Sequence, residues 1–174
     1  DTVKEYLGKR PFMCMEFWIG WFDHWGGRHA HREPENVAEE LDQLLQRGHV
    51  NFYMFQGGTN FGFMNGANDG EHHNDMKQRT LQPDVTSYDY DALLSEAGDI
   101  TPKYLACQKV ISKYREIPSI EVHNTIKKAY GKVTVDNQVS LFNVLDLISK
   151  PHIMKSPVSM EYLQQQYGYI LYRT

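Results

Sequence analysis

The hydrophobic and polar positions near the start of the chain form two short apolar runs around one amphipathic segment. The first run, Pro11 to Ile19, is too short and too aromatic for a helix, so it predicts a buried strand. The segment from Pro34 to Gly48 begins with proline and acidic residues, has apolar side chains on one face and ends at glycine, which predicts a helix. Because a second apolar run, Val50 to Phe55, follows directly, we expect a strand–helix–strand unit with parallel strands and a right-handed crossover.

The middle of the chain loses this periodicity. From Gly57 to Pro83 it is polar and rich in glycine, which predicts a long loop that is either functional or disordered. A second helix is predicted to end at about Arg115, because Thr101 is suited to cap its N-terminus and Pro102 to occupy its first position. The order of strand, helix, strand, loop and helix matches the closing part of a TIM barrel.

The last third of the chain has a different pattern. Pro118 stops the second helix, and the segment from Ala129 to Val135 alternates like a strand. Residues 141–145 fit either a strand or a short helix. The aromatic stretch from Tyr167 to Thr174 is a strong strand signal, and it would be an unpaired edge if it stood alone.

These elements predict an α/β fold in two parts. Residues 1–116 are expected to be the last βα units of a (β/α)8 TIM-barrel domain. Residues 117–174 are expected to be a linker and the first strands of a β-rich domain. The cellular compartment stays open.

Charge and cysteine content narrow the choice of partner. The 174 residues carry a formal net charge of −4, which gives no basic surface for a nucleic acid or an anionic membrane, so we expect an uncharged partner. No apolar run approaches the roughly 20 residues of a membrane span. Cys14 and Cys107 lie far apart without metal-binding spacing, so we predict two buried thiols, no structural metal and no cofactor.

Glu16 is the first candidate for chemistry. It lies inside the first apolar run, at the end of a predicted barrel strand, where barrel enzymes place their active sites. The alternative is a glutamate that simply points outward from an edge strand, and spacing alone leaves both interpretations open.

Three motifs resemble glycoside hydrolase family 35 β-galactosidases. The segment from Glu16 to Gly26 resembles the nucleophile segment of that family, and Gly57 to Gly62 resembles the end of its eighth barrel strand. Residues 86–99, Thr-Ser-Tyr-Asp-Tyr-Asp-Ala-Leu-Leu-Ser-Glu-Ala-Gly-Asp, resemble the stretch before the last barrel helix. The ending from Ser159 to Thr174 looks like the start of the β domains that follow the barrel, so the likeness covers nearly the whole chain.

The resemblance implies a retaining hydrolysis of terminal β-linked galactose with Glu16 as the nucleophile. It also implies that Tyr90 bonds to the galactose or to the nucleophile, and that Tyr53 and Trp21 line the sugar subsite. Core packing is the alternative for Tyr53 and Trp21. Tyr90 is the stronger candidate, because two tyrosines interleaved with two aspartates make a poor core strand.

The partner carboxylic acid has no candidate in this chain. The family takes it from an Asn-Glu pair on an earlier strand, so we expect this polypeptide alone to be inactive. The other glutamates do not fit this role, because they lie before the strand, on or next to the helix, or in loops. They are Glu5, Glu33, Glu35, Glu39, Glu40, Glu71 and Glu96.

Three alternatives to this function stay open. Another retaining β-glycosidase on the same barrel would share the glutamate nucleophile but not the three motifs together. A non-catalytic relative would bind galactose without turnover. The third alternative is a purely structural half of a protein, used for assembly. Its exposed barrel edges would make it sticky or oligomeric.

The histidines could be mistaken for metal ligands. His29 and His31 lie in one predicted loop, and His72 and His73 lie in another. Zinc sites need three or four ligands from rigid elements, so we interpret these residues as solvated loop positions and predict no metal. The polar run from Asp69 to Arg79 departs from the family pattern, so the resemblance does not extend to a leaving-group specificity carried by that loop.

Overall fold

The computed structural model describes residues 2–70 and 81–173, and helices and strands alternate in its first part. Four elements come first along the chain: α1 (Thr2–Leu7), β1 (Met13–Trp18), α2 (Pro34–Leu45) and β2 (His49–Tyr53). β1 and β2 pair in parallel, and α2 lies between them in sequence. The predicted unit of two parallel strands joined by a helix is therefore confirmed.

The segment between residues 57 and 83 contains more structure than its sequence predicts. β3 (Ala67–Asp69) and β4 (Leu81–Pro83) form an antiparallel pair. Each strand has only three residues, which is too short for a hydrophobic period to develop. Most of the polar run from Asp69 to Arg79 lies outside the described residues.

The third long helix, α3 (Pro102–Ile111), begins where predicted and ends earlier. The side-chain oxygen of Thr101 accepts a hydrogen bond from the backbone amide of Tyr104 at 3.2 Å, which confirms the predicted cap. The predicted end near Arg115 is wrong. The backbone amides of Lys113 and Tyr114 bond to carbonyls three residues earlier, which ends the regular α-helix at Ile111, and the Arg115 amide makes one further bond to the Ile111 carbonyl at 3.2 Å.

The core forms where β1, α2, α3 and the turn around residue 90 meet. Burial of these side chains stabilises the fold by about 25 cal/mol for each Å² of apolar surface removed from water. Cys107 is 1% exposed, as predicted, whereas Cys14 is only partly buried. The buried members are Phe17, Ile19, Val37, Leu41, Tyr90, Ala92, Leu93, Cys107 and Val110.

The chain divides into two compact units, Asp1–Thr125 and Ile126–Thr174. The second unit contains a 3-10 helix (Leu141–Asn143) and the short helix α4 (Leu145–Ile148), which resolves the choice left open for residues 141–145 in favour of helix. The predicted division at residues 116 and 117 into a barrel domain and a β-rich domain stays a prediction.

The strands predicted in the second unit are wrong. Within residues 126–173 the structure has no strand, either at 129–135 or at 167–173. A strand needs a neighbouring backbone to bond with, and in the last stretch two carbonyls bond to a side chain instead. The amide of Gln165 donates to the carbonyls of Tyr167 and Tyr169 at 3.2 and 2.9 Å. Apolar alternation alone therefore did not decide the structure.

Lys103 joins three parts of the first unit. Its side chain is 3% exposed, and its Nζ donates to the carbonyl oxygen of Ile19 at 2.9 Å and to that of Asp91 at 2.6 Å. The same ammonium also forms an ion pair with the Asp91 carboxylate. The end of β1, the turn after residue 90 and α3 are thus held at one point.

We expect Lys103→Met to lower the free energy of unfolding by about 3 kcal/mol, because it leaves a mostly buried carboxylate and two carbonyls without their donor. Urea unfolding is the measurement. The exposed pair of Lys113 and Asp42 provides the control, and Lys113→Met should leave the midpoint nearly unchanged. Equal small effects of both substitutions would contradict the role given to Lys103.

Candidate active site

Glu16 lies on β1 and its side chain is exposed. The indole Nε1 of Trp18 donates to one of its carboxylate oxygens at 3.0 Å. The carboxylate also lies near enough to Tyr90 for its charge to affect the titration of the phenol. An exposed carboxylate that accepts one hydrogen bond has free oxygen lone pairs for a further contact.

Tyr90 is the buried member of the site. It is 1% exposed, and its hydroxyl has no hydrogen-bond partner within residues 2–70 and 81–173. Burial, Tyr53 and the charge of Glu16 together raise the pKa of Tyr90 to about 12, so the phenol keeps its proton at neutral pH. A buried polar group without a partner is costly, and such a group is a candidate for a contact with a ligand.

An aromatic cluster surrounds this hydroxyl. The ring of Tyr53 lies 5.5 Å from that of Tyr90, nearly perpendicular to it. The ring of Trp21 lies 6.1 Å from Tyr90 and 4.9 Å from Trp18, and it is 37% exposed. The structure therefore brings Tyr53, Trp21 and Tyr90 together, with Trp18 linking the cluster to Glu16.

Tyr88 belongs to the same cluster, although sequence analysis did not single it out. Its ring lies 5.4 Å from Tyr90, and its hydroxyl lies 3.4 Å from that of Tyr53. Burial and the bond with Tyr53 raise the pKa of Tyr88. The signal was available, because Tyr88 and Tyr90 are both in the Tyr-Asp-Tyr-Asp motif and two residues apart.

Hydrogen bonds and an ion pair of Asp91 stabilise the turn that carries Tyr90. Tyr90 and Asp91 have φ angles of 63° and 49°, a left-handed conformation that costs roughly 1–3 kcal/mol for a residue other than glycine. The Asp91 carboxylate accepts from the backbone amide of Arg32 at 2.7 Å and pairs with Lys103. The amide of Asp91 donates to Asp89 at 3.2 Å. These bonds maintain the strained turn.

Two glycines allow close backbone contact with the tyrosine segment. A Cβ atom on Gly57 would clash with the carbonyl of Tyr88, and one on Gly20 would clash with the carbonyl of Tyr90. The amide of Tyr88 also donates to the Gly58 carbonyl at 2.8 Å. The absence of side chains at 20 and 57 therefore permits the end of β1 and the loop after β2 to meet the tyrosines.

His29 and His31 are loop residues, with side chains 55% and 56% exposed. The hydrogen bond of His29 Nδ1 with Asp23, 2.6 Å long, raises the pKa of this histidine, and burial acts in the opposite direction. Within the described ranges, 2–70 and 81–173, no three metal-binding side chains converge. The His72–His73 pair lies outside them.

The chain matches the family described as glycosyl hydrolases family 35 over residues 1–114. It is 44% identical over 170 residues to the beta-galactosidase of Homo sapiens, covering 95% of this chain and 24% of the human protein. It is 41% identical over 172 residues to beta-galactosidase 17 of Arabidopsis thaliana, covering 96% of this chain and 24% of the plant protein. The beta-galactosidase-1-like protein of Mus musculus is 41% identical over 178 residues, with coverages of 100% and 26%.

Parallel strands that end beside a carboxylate and aromatic rings fit the glycoside hydrolase class. The chain belongs to glycosyl hydrolase family 35, and the resemblance predicted from its motifs is confirmed. It spans about a quarter of the length of the curated relatives it matches. In residues 2–70 and 81–173, no helix has the length and apolar content that a membrane span requires.

We expect Tyr90→Phe to leave the free energy of unfolding unchanged or to raise it by up to about 1 kcal/mol, because the change removes a buried hydroxyl without a partner. Urea unfolding measures this. Tyr114 is the matched control, because its hydroxyl donates to Asp42 at 2.7 Å and Tyr114→Phe should lower stability. A larger loss for Tyr90→Phe than for Tyr114→Phe would mean that the Tyr90 hydroxyl has a stabilising partner inside the protein.

Proposed function

We propose that the full-length protein containing this chain hydrolyses terminal β-linked galactosides with retention of configuration, and that Glu16 is its nucleophile. The observation that carries the proposal is the link from Glu16 through Trp18 and Trp21 to Tyr90, whose buried hydroxyl has no protein partner in the described residues. Family membership and the β-galactosidase relatives support the substrate class.

The proposed reaction has two displacements. In the first, a Glu16 carboxylate oxygen attacks the anomeric carbon and forms a glycosyl ester, while a second carboxylic acid protonates the departing glycosidic oxygen. In the second, water attacks the same carbon from the opposite side to Glu16 and gives its proton to the second group, and the Glu16 carboxylate leaves. The galactose then has its original β configuration.

The proposed location of this chemistry is the C-terminal end of the last strands of a TIM barrel. Residues 1–116 would supply the closing βα units, with β1 and β2 as neighbouring barrel strands. Barrel enzymes place catalytic side chains at strand ends and in the following loops. Glu16 near the end of β1 and Tyr53 at the end of β2 fit that arrangement.

The tyrosines and Trp21 are proposed to bind the sugar. The Tyr90 hydroxyl can donate to a sugar oxygen or to the nucleophile, and Tyr53 can donate or accept at the adjacent position. Trp21 is partly exposed, so its ring can pack against the apolar face of a galactose ring. These contacts would orient the anomeric carbon toward Glu16.

The second carboxylic acid is proposed to come from residues outside this chain. In the resemblance it belongs to an Asn-Glu pair, and no asparagine here is followed directly by glutamate. Glu96 is already held by Ser87 and Thr59 through its carboxylate. Glu39 and Glu40 lie on α2 and their side chains are exposed.

We expect Glu16→Gln in the full-length protein to lower kcat for a nitrophenyl galactoside by at least about 1,000-fold, because an amide cannot act as the nucleophile. The control is Glu35→Gln, which removes an exposed carboxylate on α2 and should retain full activity. Wild-type kcat in Glu16→Gln would overturn the proposal.

A chemical rescue of Glu16→Ala identifies the role of the residue. Azide can enter the space of the missing carboxylate and attack the anomeric carbon, which would give the α-galactosyl azide. NMR of the wild-type reaction should show β-galactose as the first product. Galactose binding without turnover by the wild-type protein would instead indicate a non-catalytic relative.

We expect the isolated 174-residue polypeptide to release no nitrophenol above the rate of the Glu16→Gln version of the same polypeptide. The physical reason is that this chain spans about a quarter of its relatives' length, so it supplies only part of the proposed barrel site and not the second carboxylic acid. A nitrophenyl galactoside assay at matched protein concentration is the measurement. Turnover that disappears in Glu16→Gln would overturn the expected inactivity of the isolated polypeptide.

A further inference from the structure

The pairing of β1 with β2 is irregular at the position of Glu16. Cys14 lies opposite Val50, and three residues later Phe17 lies opposite Phe52, only two residues further along β2. Met15 and Glu16 therefore face a single residue of β2, which is Asn51. Two residues opposite one define a β-bulge, and bulges are rare between parallel strands and frequent next to active sites.

The bulge determines the direction of the Glu16 side chain. In a regular strand, successive side chains point to opposite faces, and a slip of one residue reverses every face. Here Met15 and Glu16 are both exposed, and the next residue, Phe17, is 6% exposed. The alternation is interrupted at Met15 and Glu16 and resumes at Phe17, which enters the core.

Asn51 bonds to the bulged backbone. Its side-chain Nδ2 donates to the carbonyl oxygen of Met15 at 3.0 Å. That carbonyl belongs to the residue directly before Glu16, within the stretch where the bulge interrupts the regular ladder. The Asn51 amide thereby fixes the peptide unit from which the Glu16 side chain extends.

We propose that Asn51 is a positioning residue for Glu16, acting through the bulge and not through contact with the sugar. This inference rests on the proposed function, since it concerns the orientation of the Glu16 carboxylate as nucleophile. The geometric demand is strict, because a displacement of about 1 Å between reacting groups can lower a rate about 100-fold. A hydrogen bond from β2 to the peptide before Glu16 limits that displacement.

The test is Asn51→Ala and Asn51→Leu in the full-length protein. Both remove the donor, and leucine also keeps much of the side-chain volume. We expect kcat for a nitrophenyl galactoside to fall about 10- to 100-fold, with the inhibition constant for free galactose within about twofold of wild type and Tm nearly unchanged. A role in stability alone would lower Tm and the number of galactose-binding sites, and leave kcat per binding site unchanged.

Two further variants sharpen the test. Asn51→Gln keeps the amide donor and should recover part of the kcat lost in Asn51→Ala. Asn36→Ala removes an exposed asparagine from α2 and should retain wild-type kcat. If Asn51→Ala folds poorly, Asn51→Ser replaces it, because serine is polar but too short to make the same bond to the Met15 carbonyl.

The outcomes separate the inference from the proposed function. Inactive Glu16→Gln together with wild-type kcat per site in the Asn51 variants would overturn the positioning role alone. Wild-type activity in Glu16→Gln would overturn the proposed function and the inference with it. A lower kcat per site at unchanged galactose affinity, with partial recovery in Asn51→Gln, supports the inference.

Discussion

The buried ammonium of Lys103 is the interaction on which the arrangement of the first unit depends. One charge satisfies the carbonyl of Ile19, the carbonyl of Asp91 and the Asp91 carboxylate. Because desolvating an ammonium is expensive, α3 can bury Lys103 only where all three acceptors are present. The strand that carries Glu16, the turn that carries Tyr90 and the helix that carries Lys103 are therefore stabilised together.

Two features of the cluster around Tyr90 cost free energy. Tyr90 and Asp91 occupy a left-handed conformation, and the buried Tyr90 hydroxyl has no acceptor or donor within the described residues. Both features cost free energy in the unliganded protein. The Lys103–Asp91 pair and the contacts of Gly20 and Gly57 with the tyrosine backbone hold the hydroxyl in place, so a ligand would meet a site that is already ordered.

Sequence patterns predicted the strand–helix–strand unit and the start of α3 in the first unit, and they failed for the strands of the second unit. The helix from Pro34 and the cap at Thr101 follow from periodicity and from side chains adjacent in sequence. The strand predicted at residues 129–135 failed, because alternation does not supply a partner backbone. Glu16, Tyr53, Trp21 and Tyr90 could be named from motifs. Tyr88 and Asn51 required distances and register, since an aromatic contact and a bulge exist only after the strands are paired.

The two thiols differ in their exposure to oxidants. Cys107 lies in the core, and burial raises its pKa to about 11, so almost none of it is the reactive thiolate at neutral pH. Cys14 is partly exposed and lies directly before the bulge that carries Glu16. Peroxide would therefore oxidise Cys14 before Cys107, and the resulting sulfenic acid would lie two residues from the carboxylate proposed to react with the sugar.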